Sequence, residues 1–261
     1  MSDLAWQTTM MAGQTFRWKP CPQQGDVAAK SMANKDEIRE FFDEIAPAYD
    51  RLNHLLSWNI DKSWRKQAVR QLDRNNVHLL LDVACGTGDF AILACQSGIP
   101  EIRGIDLSDR MLAVGNRKIA SLGLQDKIRL QQGDGEQIDF ADETFDAVTA
   151  AFGVRNFEHL ERGLKEMNRV LKRNGKVVIL EFSMPRSFPM KPLYSFYFHR
   201  IVPAVGGFLA NHKRAYHYLP ASVAAFPQGD DFLQILRECG FRNLVCKTLT
   251  FGIACIYTGV K

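Results

Sequence analysis

What the chain lacks narrows it first. No stretch of its 261 residues approaches the ~20 apolar positions of a membrane-spanning helix. The longest uncharged run in its most aromatic region, Ile201 to Asn211, is broken by Pro203, Gly206 and Gly207. The six cysteines (Cys21, Cys85, Cys95, Cys239, Cys246, Cys255) show no C-x-x-C pair and no zinc spacing. They read as reduced thiols of a cytoplasmic protein, and no metal site is expected. His212 and His217 stand five apart, on different faces of a helix. No apolar h-region follows Met1, which excludes a secretory signal. A net charge of +4 makes no case for nucleic acid as a partner, though it leaves room for a basic face towards anionic lipid. Internal repeats are missing, as is any Ser/His/Asp or Cys/His nucleophile arrangement.

What is present reads as one α/β domain with additions, soluble at 46% hydrophobic and 24% charged residues. Its organising stretch is LLLDVACGTGDFA, Leu79 to Ala91. An apolar run short enough for a doubly buried strand meets Gly86 and Gly88, and DFAILACQ follows as helix. Strand, glycine turn and helix are the layout of a nucleotide-binding crossover. On this reading Gly86 supports the tight turn, Gly88 leaves room for a ligand against the backbone, and Ala91 lets helix pack on strand. Cys85, inside the loop, reads as a small filler and not a nucleophile.

Three acids then select the ligand. EIRGIDLS ends a second strand at Asp106, placed to accept from a ribose diol. Asp82 precedes Gly86 by four residues, where it would repel a pyrophosphate but hold the ammonium of a methionine moiety. Asp134, after a third strand over Lys127–Gln132, can accept from an adenine amino group. For Asp82 and Asp134 the plainer alternative is a strand-end cap on loop N–H groups. Acids at three successive strand ends fit S-adenosylmethionine (SAM) better than NAD. The D-x-A-C-G-T-G-D loop also resembles the first motif of class I SAM-dependent methyltransferases.

Along the chain, residues 1–33 have no period and read as a flexible extension, and 34–261 as one methyltransferase-like domain. Residues 34–76 carry helical spacing broken at Pro47, a helical cap whose Tyr49 and Asp50 line the ligand cavity from above. Residues 77–183 alternate strand and helix, which predicts a doubly wound, mostly parallel, Rossmann-like sheet. One helix is predicted from Glu158 to Gly175, followed by the strand KVVILEFS. Residues 184–220 mix aromatics, basic residues, Pro and Gly, and read as a substrate lid able to touch a membrane surface, or as a plain insertion packed on the sheet. Residues 221–261 give a helix and an antiparallel edge hairpin.

FGVRN, Phe152 to Asn156, follows the fourth strand and so opens on the same crevice. Methyl transfer needs an aligned acceptor and help with proton removal. Arg155 stays protonated, so it can stabilise a phenolate-like oxygen or orient a water, and Asn156 can hold that water or an acceptor oxygen. The alternative is a surface pair between Arg155 and an acid such as Glu158.

Over about Lys35 to Lys261 the chain resembles the ubiquinone/menaquinone C-methyltransferase family of the UbiE/MenG type. YDRLNHLLSWNIDKSW and RVLKRNGKVVILEFS are similar to its two signatures. FGVRN, AYHYLPASVAAFP and LTFGIACIYTG are similar to further family blocks. The resemblance implies methyl transfer from SAM to a ring carbon of a polyprenylated quinol. By similarity Thr87, Asp106, Asp134 and Gly135 bind SAM, and Tyr49, Arg155 and Asn156 belong to the cavity. Leu52 stands where a Met is usual, Asp61 for a His, Arg173-Asn174 for Pro-Gly, and Ala151 for a frequent SAM-contacting Ser. NHLLSWNIDKSWRK is most similar to menaquinone-pathway members, which favours a demethylmenaquinol over the benzoquinol of ubiquinone synthesis. A SAM-binding assembly protein without turnover is the non-enzyme alternative. The expected setting is cytoplasmic with peripheral contact at the inner membrane face, and a homodimer is left open.

Overall fold

The apolar run at the centre of the sequence becomes the centre of the sheet. In the computed structural model, β1 (Leu79–Val83) buries four of its five residues, as a strand covered on both faces must. The structure describes residues 34–57, 59–185, 188–190, 192, 194 and 213–261. The extension over 1–33 and the middle of the expected lid, 195–212 with His212, lie outside the described residues.

β2 (Glu101–Asp106) and then β3 (Ile128–Gln132) flank β1 on one side in parallel. On the other side lie β4 (Phe145–Ala151) and β5 (Leu171–Phe182), also parallel. β6 (Arg242–Leu249) and β7 (Ala254–Val260) form an antiparallel hairpin, with β7 beside β5. The order β3-β2-β1-β4-β5-β7-β6 reverses direction between β1 and β4, which opens a crevice at their carboxyl ends.

Helices cover both faces. α3 (Ile60–Val69), α4 (Asp89–Gln96) and α5 (Asp109–Ser121) pack Trp64, Val69, Phe90, Ile92 and Ile119 on one side. α6 (Leu160–Val170) and α8 (Asp230–Glu238) pack Leu164, Met167, Phe232 and Leu236 on the other. Above the crevice lie α1 (Lys35–Ile45) and α2 (Tyr49–Leu56), separated at residues 46–48 around Pro47. Ser108 caps α5, its Oγ accepting from the Met111 N–H at 3.1 Å.

Two boundaries differ from the sequence reading. The helix predicted to reach Gly175 ends at Val170, and β5 begins at Leu171. Leu171 is fully buried opposite Phe145, and that burial outweighs the helix propensity of the LKR run. The pairing then skips from Phe145–Leu171 to Ala147–Lys176, so the intervening residues bulge, with Asn174 left-handed at φ 61°. Asn tolerates that conformation, so it can stand where the family has Gly. At the other boundary, α7 (Lys213–Ala225) runs through Pro220, where the expected lid met the C-terminal unit.

Candidate active site

The loop after β1 holds three residues at positive φ: Ala84 (53°), Gly86 (55°) and Gly88 (76°). Both glycines take the turn conformation expected of Gly86, and Gly88 carries a packing demand as well. A Cβ on Gly88 would lie 3.2 Å from Leu130 Cδ1, so Gly88 is demanded by its backbone and by the core beneath it. A Cβ on Gly86 would meet nothing, and Gly86 lines the cavity. Gly86 faces the cavity, and Gly88 packs against Leu130.

The three strand-end acids converge on this loop with different partners. Asp106 Oδ2 accepts from the Gly86 N–H at 2.8 Å and its Oδ1 from the Ser108 N–H at 2.9 Å, so it shapes the loop. Each oxygen retains a lone pair for a further donor. Burial raises its pKa against those two bonds. Asp134 Oδ1 accepts from the Glu136 N–H, and its Oδ2 takes the Lys35 ammonium at 2.7 Å. Asp82 is almost wholly buried; its Oδ1 accepts from Thr149 Oγ1 at 2.8 Å, and its Oδ2 has no partner. Burial pushes its pKa up to about 7. Cys85 is buried beside Asp106 and Asp82, and burial holds its thiol well above the usual range, as suits a filler.

The cap reaches all three strand ends. Lys35 of α1 pairs with Asp134, and Asp43 accepts from Ser108 Oγ at 2.6 Å. Asp50 of α2 accepts from Thr87 Oγ1 at 2.6 Å and pairs with Lys118 of α5 at 2.9 Å. Lys118 also bonds Asp89. Tyr49 and Phe42 meet edge to face at 6.1 Å beneath this cover. With the cap so seated, the cavity over Gly86, Asp106, Asp134 and Gly135 keeps about 70 Å³ of room. Thr87 thus points its hydroxyl at the cap. Asp61, the departure from the family's His, forms a buried pair with Arg65 at 2.5 Å under the cap.

The acceptor side holds residues that sequence reading missed. Arg155 is buried, and it pairs with Glu181 at the end of β5 (2.8 Å), not with Glu158. Its Nη1 also donates to the Phe152 carbonyl, its guanidinium lies 5.3 Å from the Phe182 ring centre, and its Nε is buried without a partner. Asn156, which lines the cavity, accepts at Oδ1 from the Tyr218 hydroxyl at 2.8 Å. Tyr218 belongs to α7 and stacks 5.3 Å from Phe41 of α1. Glu181 had a usable signal: it is an acid at the carboxyl end of a strand beside the crevice. Tyr218 had none beyond its place in AYHYLP, because only the fold brings it 62 residues back to Asn156.

A seven-stranded sheet of this order, with a glycine loop and acids at three strand ends, defines a class I SAM-dependent methyltransferase. A solved methyltransferase of that class from Thermotoga maritima, a possible histamine N-methyltransferase, superposes with a TM-score of 0.62 at 21% identity. The match covers 85% of this chain and 99% of that one. The model of the ubiE/COQ5 methyltransferase family matches residues 30–261, and the chain belongs to that family. The demethylmenaquinone methyltransferase of Bacteroides fragilis is 46% identical over 87% of this chain and 93% of its own. The ubiquinone/menaquinone biosynthesis C-methyltransferase UbiE of Geotalea daltonii is 46% identical over 87% and 97%. Among the described residues, no helix is long and apolar enough to cross a membrane.

Proposed function

We propose that this chain methylates a demethylmenaquinol, a 2-polyprenyl-1,4-naphthoquinol, at the ring carbon beside a hydroxyl, giving menaquinol. The observation that carries the donor side is Asp82, a buried carboxylate with one unpartnered oxygen beside the glycine loop. A cationic ligand group is what such an acid needs, and the ammonium of SAM supplies it. Asp106 would take the ribose diol and Asp134 the adenine amino group, with Gly86, Gly88, Thr87 and Gly135 forming the loop surface. SAM, once bound, brings an electrophilic methyl group on sulfur.

The protein's remaining work is at the acceptor. A reduced quinol becomes nucleophilic at carbon as its hydroxyl proton departs and charge grows on oxygen. Glu181 balances the Arg155 charge in the resting site, while the Nε–H has no partner. On this reading that N–H, one residue from Asn156 of the cavity lining, meets the growing negative charge, which helps most in the transition state. Tyr218 donates to Asn156 Oδ1, which turns the amide's N–H groups towards an acceptor oxygen or a water. Tyr49, its pKa raised by burial, closes the cavity from the cap as a neutral phenol. A polyprenyl acceptor resides in a bilayer, so the proposal includes peripheral contact with the membrane surface.

The decisive experiment is single-turnover methylation of short-chain demethylmenaquinol under reducing conditions. Methylation of the quinol and none of the oxidised quinone is expected. A benzoquinol preferred over the naphthoquinol would move the assignment to ubiquinone synthesis. SAM binding without turnover on either ring would leave an assembly role.

A further inference from the structure

The tip of the β6–β7 hairpin is built to push an aromatic side chain into solvent. Thr250, Phe251 and Gly252 take φ values of 44°, 56° and 94°, and Phe251 is 76% exposed. Two successive non-glycine residues in the left-handed region persist only where the surroundings hold them. Here Trp64 of α3 donates from Nε1 to Thr250 Oγ1 at 2.7 Å, and Ser183 donates from Oγ to the Gly252 carbonyl at 2.7 Å. Further exposed apolar side chains lie on the elements that hold the tip. Ile60 lies one turn from Trp64 on α3, Met184 follows Ser183, and Val245 is on the edge strand.

Within α3, β6 and the tip the exposed charge has one sign. The exposed face of α3 carries Lys62, Lys66 and Arg70, and β6 carries Lys247. None of these four makes an ion pair among the described residues. The only acid in α3, β6 or the tip is Asp61, which is buried against Arg65. The tip and the start of α3 lie at the carboxyl edge of the parallel strands, the edge on which the cavity opens.

We propose that this face, with Phe251 as its wedge and Lys62, Lys66 and Lys247 on the elements that hold it, docks the protein on an anionic lipid bilayer. An apolar tip on elements that carry exposed, unpaired cations matches headgroup charge above acyl chains. The docking also orients the cavity towards the membrane, and that consequence rests on the polyprenyl-quinol reading above.

The test uses the full chain without substrate, in flotation with phosphatidylcholine vesicles with and without phosphatidylglycerol. The parent should float only with the anionic vesicles, less as salt rises. Phe251→Ser should lower the bound fraction roughly tenfold, the weight of one partly inserted aromatic. K62E/K66E should lower it by more, since each lysine near an anionic surface contributes about fivefold. Leu122→Ser, an exposed apolar site at the C-cap of α5, should change nothing. Turnover of a short-chain soluble quinol should stay at the parent rate in every variant, which shows them folded. Flotation unaffected by Phe251→Ser and K62E/K66E would overturn the proposal. So would a parent that binds no vesicle, or a dimer in light scattering that these substitutions dissolve. If lipid binding falls while turnover of a bilayer-embedded quinol holds, the docking face stands and the membrane-delivery reading fails instead.

Discussion

The two halves of the crevice treat charge in opposite ways. On the β1–β3 side Asp82 is buried with an oxygen unmatched, Asp106 is held by backbone N–H groups alone, and Asp134 is met by Lys35 of the cap. On the β4–β5 side the charged group, Arg155, is matched in place by Glu181. On the proposed reading, the ammonium of SAM completes the first half at Asp82. The second is balanced at rest, with the Arg155 Nε–H unpartnered. A donor with permanent positive charge and an acceptor that develops negative charge only while reacting would each be served by this asymmetry.

Removing the resting partner of Arg155 should have the largest effect. Glu181→Ala leaves a buried guanidinium uncompensated and should cost about 3–5 kcal/mol of stability, read by denaturant unfolding. The double variant R155M/E181M should be more stable than Glu181→Ala, because the charge leaves with its partner. If Glu181→Ala unfolds like the parent, the pair is solvated and the acceptor half is not balanced as described.

Next in size is the chemistry. Arg155→Ala should lower kcat by roughly 10²–10³-fold, as for a lost oxyanion donor, with SAM affinity within about threefold of the parent. Arg155→Lys should rescue poorly, since an ammonium cannot hold Glu181 and offer a second planar N–H. Near-parental turnover in Arg155→Ala would make the residue structural.

These two halves also differ in how far the sequence reveals them. Asp82, Gly86, Asp106 and Asp134 follow from local pattern: a strand that stops, a glycine pair, and acids at strand ends. The sheet itself, hairpin included, follows from the same alternation. Glu181 and Tyr218 meet Arg155 and Asn156 only after the chain folds, and neither pairing has a period or spacing. The packing demand on Gly88 is hidden for a related reason, since it comes from Leu130, a side chain of another strand. The end of α6 was missed because the burial of Leu171 against β4 is a property of the sheet and not of the helix.

Asp82 sharpens the comparison through pH. Its carboxyl is raised from 3.8 to about 7 by burial, so the folded protein holds a proton there that the unfolded chain releases. The stability this contributes is full below about pH 4 and is lost as pH rises through about 7. SAM binding has the opposite slope, because an ammonium selects the carboxylate; affinity should fall as pH drops below 7. Asp82→Asn should weaken SAM binding by about 1.5–3 kcal/mol, the loss of a charge-assisted hydrogen bond. It should also stabilise the ligand-free protein at pH 8, and both pH slopes should flatten. Calorimetry and thermal unfolding at pH 6 and 8 read all of this. A variant less stable than the parent at pH 8 would show that Asp82 is satisfied without a ligand.

The smallest effect concerns Lys35, which crosses between the cap and the donor half. Its ammonium sits 2.7 Å from Asp134 and 3.3 Å from Glu136. Burial works to lower its pKa, but the bond and charge of Asp134 and the charge of Glu136 outweigh that and raise it, so it stays charged. On the proposed reading it occupies the acceptor that an adenine amino group needs. Both side chains of the pair are about 30% exposed, so the pair is worth only about 0.2–1 kcal/mol. Lys35→Met should therefore tighten SAM binding by about 1.5- to 5-fold. Moderate salt should tighten the parent and leave the variant unchanged, because only the parent has a screened pair to break. If Lys35→Met instead weakens binding, the lysine closes the cap over bound SAM and does not compete with it. The negative donor half would then be completed from the cap, and the contrast with the self-balanced Arg155–Glu181 side would narrow to Asp82 alone.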